Sequence, residues 1–352
     1  MLKIFFRRLI SFLLVVAIIA SGFAYPNWYK KQWNKVKGMY YVAKGDTALR
    51  KQDFQTAIND YQYGLTLYPG HYGAWFNLGN IYVAYEDYYS AADAYLQAIK
   101  YNPNYVLARM NYGIIEVEKL GNFDEAIAQY NKIIGIRRKL VYIPFVFNNL
   151  KSYKTNIGLA YYNKGVAYRQ KSTYLDQNWE YQQKYLLEAI KAYKEAIKIL
   201  PEDYDSRYNL ALAYHLNRDY NLAGLTYCEA IQLAPMNYEA HYNLAVLLSH
   251  LKYYKEALKE MHKANTIIAG KNSDSNQQRY VFDVMNDVTR MILKEEDGIE
   301  FLTEKFEIEG SDPTSQLTYI NGKLVSSEEL DKAMIKNMET CASKDIFLDD
   351  RK

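Results

Sequence analysis

A chain of 352 residues with 49% hydrophobic content can bury a sizeable core. Its formal net charge of +3 is too small to argue for nucleic acid as a partner, and two cysteines, Cys228 and Cys341, are too few for a disulfide framework. From Lys294 onward there are fifteen acidic and eight basic side chains, an acidic balance that reads as a solvated tail.

At the N-terminus Lys3, Arg7 and Arg8 precede a nearly uncharged run, Leu9 to Tyr25. Its seventeen residues would rise about 25 Å as a helix, near the lower limit for spanning a bilayer. One reading is a cleaved leader, with Gly22-Phe23-Ala24 as a tolerable cleavage site. The other is a retained anchor, favoured by Trp28, Tyr29, Lys30, Lys31 and Trp33, residue types that belong at the membrane interface. The expectation is an anchor or transmembrane helix over 1–27 and a juxtamembrane segment over 28–37. The basic leader favours a cytoplasmic N-terminus, so the rest is expected on the periplasmic side of an inner membrane. Lys30, Lys31, Lys35 and Lys37 count against that orientation.

A repeat follows. Pro69 and Pro103 are 34 residues apart, as are Pro201 and Pro235, Gly79 and Gly113, Tyr61 and Tyr95, and Tyr193 and Tyr227. Ala196, Ala230 and Ala264 keep the same step, and so do Ala189, Ala223 and Ala257. A fixed period of this length signals stacked helix-turn-helix units. Within one unit, Trp75, Leu78 and Tyr82 fall on one face of a first helix. Gly79 and Ala91 are small enough to let two helices approach, Tyr95 and Ala98 lie on the second helix, and Pro103 ends it.

This pattern resembles the tetratricopeptide repeat (TPR). The resemblance implies an all-α, right-handed superhelical solenoid of about six units: 38–71, 72–105 and 106–139, then 158–203, 204–237 and 238–271. The third unit departs from the pattern, because Gly121 comes one residue late and no proline closes its second helix. In the fourth, Tyr168 and Ala189 stand twelve residues too far apart, and the composition of 170–184 suits longer helices. In the sixth, Ala269 replaces the closing proline.

In this family the first helices line a concave face. Two residues before the marker glycine stand Asn77, Asn111, Asn163, Asn209 and Asn243. One residue earlier stand Phe76, Met110, Tyr162, Tyr208 and Tyr242. Amides can donate to and accept from the backbone of an extended ligand, and aromatic rings add rigid contact area. The competing reading is that neighbouring side chains or water satisfy the asparagines. The family's carboxylate clamp also uses Lys and Arg on the third groove helix. Leu107 and Asn111 stand there instead, so that mode is not expected.

Between the third and fourth units, 140–157 is read as an insertion with an apolar stretch from Leu140 to Phe147. Pro144 forbids a continuous helix there, and Tyr142, Phe145 and Phe147 form a second candidate partner patch.

After the repeats, 272–309 is expected to supply capping helices. The first, Gln277 to Leu293, has apolar residues at Val281, Val284, Met285, Val288, Met291 and Ile292. The remainder, 310–352, is expected to be an acidic, partly disordered tail. Within it Asn321-Gly322 signals a short hairpin between 317–320 and 323–325.

No phosphate loop, HExxH, CxxC or G-x-S-x-G motif occurs. Of the five histidines, His241 takes a core marker position, while His215 and His250 lie on adjacent first helices and could approach each other. No enzyme activity, cofactor, metal, small-molecule substrate or nucleic-acid partner is expected. The expected function is a membrane-tethered scaffold that assembles a multiprotein envelope complex, a flagellar motor collar being one version. The alternative is a chaperone-like adaptor that holds extended client segments.

Overall fold

The computed structural model describes residues 25–136, 147–174 and 179–270, with Ser11, Arg279, Asp283, Val284, Asp287, 319–320, 323–324, Cys341 and 344–347. The chain divides into two compact units, Met1–Arg138 and Lys139–Lys352.

The first unit holds three helix pairs: α1 (Pro26–Arg50) with α2 (Phe54–Leu67), α3 (Tyr72–Ala84) with α4 (Tyr88–Tyr101), and α5 (Val106–Glu118) with α6 (Phe123–Ile134). The second holds α7 (Phe147–Tyr174) with α8 (Trp179–Ile199), α9 (Tyr204–Leu216) with α10 (Tyr220–Leu233), and α11 (Tyr238–His250) with α12 (Tyr254–Gly270). The long α7 and α8 absorb the extra residues of the fourth repeat. The expected insertion is helical from Phe147, and its part 140–146, with Tyr142 and Phe145, lies outside the described residues.

Each pair closes on one device. A second-helix tyrosine is fully buried in each of the first five pairs: Tyr61, Tyr95, Tyr130, Tyr193 and Tyr227. Met261 takes that place in the sixth. Each ring needs a small residue on the facing helix. A Cβ on Gly79 would lie 2.7 Å from the Tyr95 ring, closer than real Cβ contacts come. Fully burying a large apolar side chain contributes roughly 1.5–3 kcal/mol, so repetition of this contact is a main source of cohesion.

The turns repeat too. Gln52, Glu86, Arg218 and Lys252 adopt positive φ just after a first helix, as does Gly121. The next residue then stands just before the second helix, at its N-cap in α2 and α4. Asp53 and Asp87 cap it by accepting from the backbone N–H of Thr56 and Ser90, at 3.1 Å in each case.

A further contact ties four of the first helices, α3, α5, α9 and α11, to the turn before them. Trp75 Nε1 donates to the carbonyl of Pro69 at 2.8 Å, and Arg109 Nε to that of Pro103 at 2.8 Å. Arg207 donates to the carbonyl of Pro201, and His241 Nε2 lies 3.0 Å from that of Pro235. The proline that stops one unit therefore offers its oxygen to the next.

Two expectations need correction. Among the described residues no helix is long and apolar enough to cross a membrane, so the single-pass inner-membrane placement, with repeats on the periplasmic side, is not supported. The run Leu9 to Tyr25 behind it lies outside the described residues, Ser11 and Tyr25 excepted. Trp28, Tyr29, Lys30, Lys31 and Trp33 belong to α1, a helix continuous with the first repeat. Second, the two cysteines are joined: Cys228 and Cys341 form a disulfide across 113 residues. Within the expected tail, Cys341 and Phe347 are buried among the helices of the second unit.

Elsewhere near the C-terminus, Tyr319–Ile320 (β1) and Lys323–Leu324 (β2) pair antiparallel around Asn321-Gly322. The four described residues of the expected capping helix, Arg279, Asp283, Val284 and Asp287, are helical, and Val284 packs on the last helix pairs.

Candidate partner-binding groove

The asparagine column is wired into the fold, and differently in the two units. In the first unit Tyr61 Oη donates to Asp46 Oδ1 at 2.7 Å, and Asn77 Nδ2 lies 3.2 Å from both that carboxylate and the phenol oxygen. One repeat later Tyr95 Oη donates to Asn80 Oδ1 at 2.6 Å, and Asn111 Nδ2 donates to Asn80 Oδ1 at 3.1 Å and to Tyr95 Oη at 3.3 Å. Two consecutive units thus repeat one triad: a tyrosine from a second helix, an acceptor from its own first helix, and an asparagine from the next.

The acceptors Asp46 and Asn80 stand one residue after the small marker position. Sequence reasoning missed them, although they are 34 residues apart and show the same period as the tyrosines.

In the second unit that register holds Val166, Leu212 and Val246, which accept nothing. The asparagines turn elsewhere. Asn209 Nδ2 donates to the Asp205 carbonyl at 2.9 Å and lies 3.4 Å from Tyr162 Oη. Asn243 Nδ2 donates to the Glu239 carbonyl at 3.0 Å and to Tyr208 Oη at 2.8 Å. The partner is now the aromatic column itself. The second-helix phenol of Tyr227 is left buried without a hydrogen-bond partner, and burial pushes its pKa well above the ordinary value. Tyr193 is also raised by burial, with the Arg169 guanidinium nearby pulling the other way.

The aromatic column is anchored but partly open. Phe76 packs 5.7 Å from Tyr95 and 5.2 Å from Tyr105, and is half-buried. Met110 is buried. Tyr162 lies 6.1 Å from Tyr193. Tyr208 stacks on Tyr204 at 5.8 Å and lies 6.3 Å from Tyr227. Tyr242 and Asn163 are half-buried, and Tyr242 packs against Ala245 and Met261 with their neighbours. Beside this column Asp205 and Glu239 share a register on α9 and α11. Burial, then the charges of Asp203 and Glu239, raises the Asp205 pKa.

Phe147, from the second candidate patch, begins α7. The two histidines do approach each other, with Tyr220 between them: its ring is 6.0 Å from His215 and 5.1 Å from His250. Burial, then the proximity of His250, lowers the His215 pKa. Among the described residues no group of three potential ligands is placed to hold a metal ion. His241 is fully buried. Its Nδ1 lies 2.7 Å from Glu260 Oε2, so both ring nitrogens face oxygens. Lys263 donates to the other Glu260 oxygen at 2.9 Å.

Tetratricopeptide-repeat family models match residues 42–88, 82–139 and 192–224. No curated protein matches the chain by sequence. Among solved structures the chain is similar to PilW, described as a widely conserved type IV pilus biogenesis factor, at 16% identity over 70% of this chain and 98% of that one, with a TM-score of 0.46. It is also similar to pilF of Pseudomonas aeruginosa, at 14% identity over 68% of this chain and 95% of that one, with a TM-score of 0.47. A thermophilic TPR protein of Thermus thermophilus matches at 18% identity over 62% of this chain and 98% of that one, with a TM-score of 0.44. The family models establish that residues 42–139 and 192–224 of this chain carry tetratricopeptide repeats.

Proposed function

We propose that the chain is a protein-interaction scaffold whose first helices bind extended segments of partner proteins. The observation behind this reading is the aromatic column of the second unit. Tyr162, Tyr208 and Tyr242 are half-buried, so their rings are held in place yet keep a reachable surface. Such residues give contact area at low cost in side-chain entropy. The amide nitrogens of Asn77, Asn111, Asn209 and Asn243 have partners within the fold, so their role here is to position the column. Direct contact with the ligand falls to the aromatic rings, with Asp205 and Glu239 suited to a basic side chain or backbone N–H groups of the bound segment. The motor-collar version is left aside, together with the membrane placement it required.

The test is crosslinking and affinity capture with the full-length chain. A Tyr208→Ala/Tyr242→Ala variant is compared with Tyr253→Ala, which removes an exposed ring on a turn. A stoichiometric set of partners, lost with the double variant and retained with the control, is the expected result. A scatter of weak clients would favour the chaperone-like adaptor. Equal capture by all three proteins would remove the groove from consideration.

A further inference from the structure

One second helix differs from the other five. Its first peculiarity is Gly224, three residues before the buried Tyr227 on α10. At the same register the other second helices hold Ile58, Ala92, Ile127, Ile190 and Leu258. The glycine makes room for an aromatic ring, because a Cβ there would clash with the Phe347 ring at Cζ, Cε1 and Cε2. Its second peculiarity is Cys228, one turn further along and therefore on the same face. On the other second helices that register holds Gln62, Leu96, Asn131, Lys194 and His262, and the first four are exposed. Cys228 is 1% exposed. Its cover is the end of the chain: Cys341 bonded to it, Ile346 packed on the same core, and Phe347, itself 4% exposed.

We propose that this face of α10 is a docking site for the chain's own C-terminal end, through Cys341, Ile346 and Phe347, and that the Cys228–Cys341 disulfide is its reversible lock. With the bond formed, Phe347 stays seated over Gly224. A dithiol reductant opens it. One reductant thiolate attacks one cysteine sulfur and forms a mixed disulfide, breaking the protein S–S bond so that the other cysteine leaves as a thiolate and is protonated. The second thiolate then displaces that sulfur, leaving two protein thiols and the oxidised reductant, with two electrons transferred. Without the bond, the segment must hold its site against the loss of a closed loop of 113 residues. Release bares an apolar surface at Gly224 that is shaped for a phenyl ring. This surface lies on a second helix and owes nothing to the groove formed by the first helices.

The experiment is hydrogen exchange on the full-length chain, followed by mass spectrometry of peptides covering 220–233, 238–250 and 341–347. Wild type is measured with and without dithiothreitol, alongside Cys341→Ser and Phe347→Ala, and intact mass reports the thiol state. The expected result is an intramolecular disulfide in the untreated monomer. Dithiothreitol and Cys341→Ser should each speed exchange of 341–347 at least tenfold and loosen 220–233, leaving 238–250 unchanged. Phe347→Ala should loosen 220–233 with the bond still formed. Any of four results would overturn the proposal: free thiols in the untreated protein; a disulfide between two copies; exchange of 341–347 indifferent to the bond; or 238–250 loosening equally, which would make the bond a general staple of the fold.

Discussion

Two repeats of the first unit and one of the second bury the same tyrosine at the same register and treat its hydroxyl in opposite ways. In the first, Tyr61 and Tyr95 donate to Asp46 and Asn80, and Asn77 and Asn111 complete the triads. In the second, Val166 and Leu212 replace those acceptors, and the Tyr227 phenol has no partner. The ring is therefore the shared structural element, and its polar tip is a local option. A buried hydroxyl is cheap where an acceptor is supplied and costs roughly 1–3 kcal/mol where none is.

The most drastic way to sharpen this contrast is to remove the ring. Tyr95→Ala and Tyr227→Ala should each lower stability by about 3–5 kcal/mol, since both leave a large cavity in a close-packed site. Chemical denaturation checks this, and very unequal costs would mean that the ring is not the common element. Removing only the hydroxyl should separate the units. Tyr61→Phe strands Asp46 and Asn77 and should cost about 1–2 kcal/mol, whereas Tyr227→Phe should be neutral or slightly stabilising. Equal losses in the two variants would end the comparison.

A third prediction uses the buried His241–Glu260 pair of the second unit. Burial alone would raise the Glu260 pKa, but hydrogen bonds and charge from His241 and Lys263 hold it below the ordinary carboxylate value. A depressed pKa means that stability is fully present above the unfolded value, near 4.5, and drains away as pH falls through the folded one. The melting temperature should therefore drop in that acid window, and Glu260→Gln should flatten the drop while lowering stability at neutral pH. The smallest expected effect should be alike in both units. Glu86→Gly and Arg218→Gly relieve a left-handed backbone conformation and should each raise stability by about 0.5–1 kcal/mol in thermal melts.

Much of the architecture was legible in the residues. The 34-residue step of Pro69, Pro103, Pro201 and Pro235 marks where second helices stop, and Asn321-Gly322 marks a turn between strands that do pair. What escaped depended on contacts between distant parts. Nothing near Cys228 or Cys341 announces a bond across 113 residues, because only docking of the chain end brings them together. The asparagine column was visible, but its partners were not, since hydrogen bonding depends on which residue follows the marker glycine. Asp46 and Asn80 were readable in principle, and attention to that one register, which already holds Ile114 in the third repeat, would have separated the first two repeats from the rest.

The carbonyls of the closing prolines have a consequence for how such a chain can vary. Trp75, Arg109, Arg207 and His241 share little in size, charge or shape, yet each brings a nitrogen to the same oxygen. What this position specifies is the reach of a donor and not the identity of a side chain. Spelling can therefore drift from one repeat to the next while the joint stays shut. An exchange of Arg207 for tryptophan keeps a donor within reach, whereas leucine at any of the four places leaves a bare oxygen at the seam.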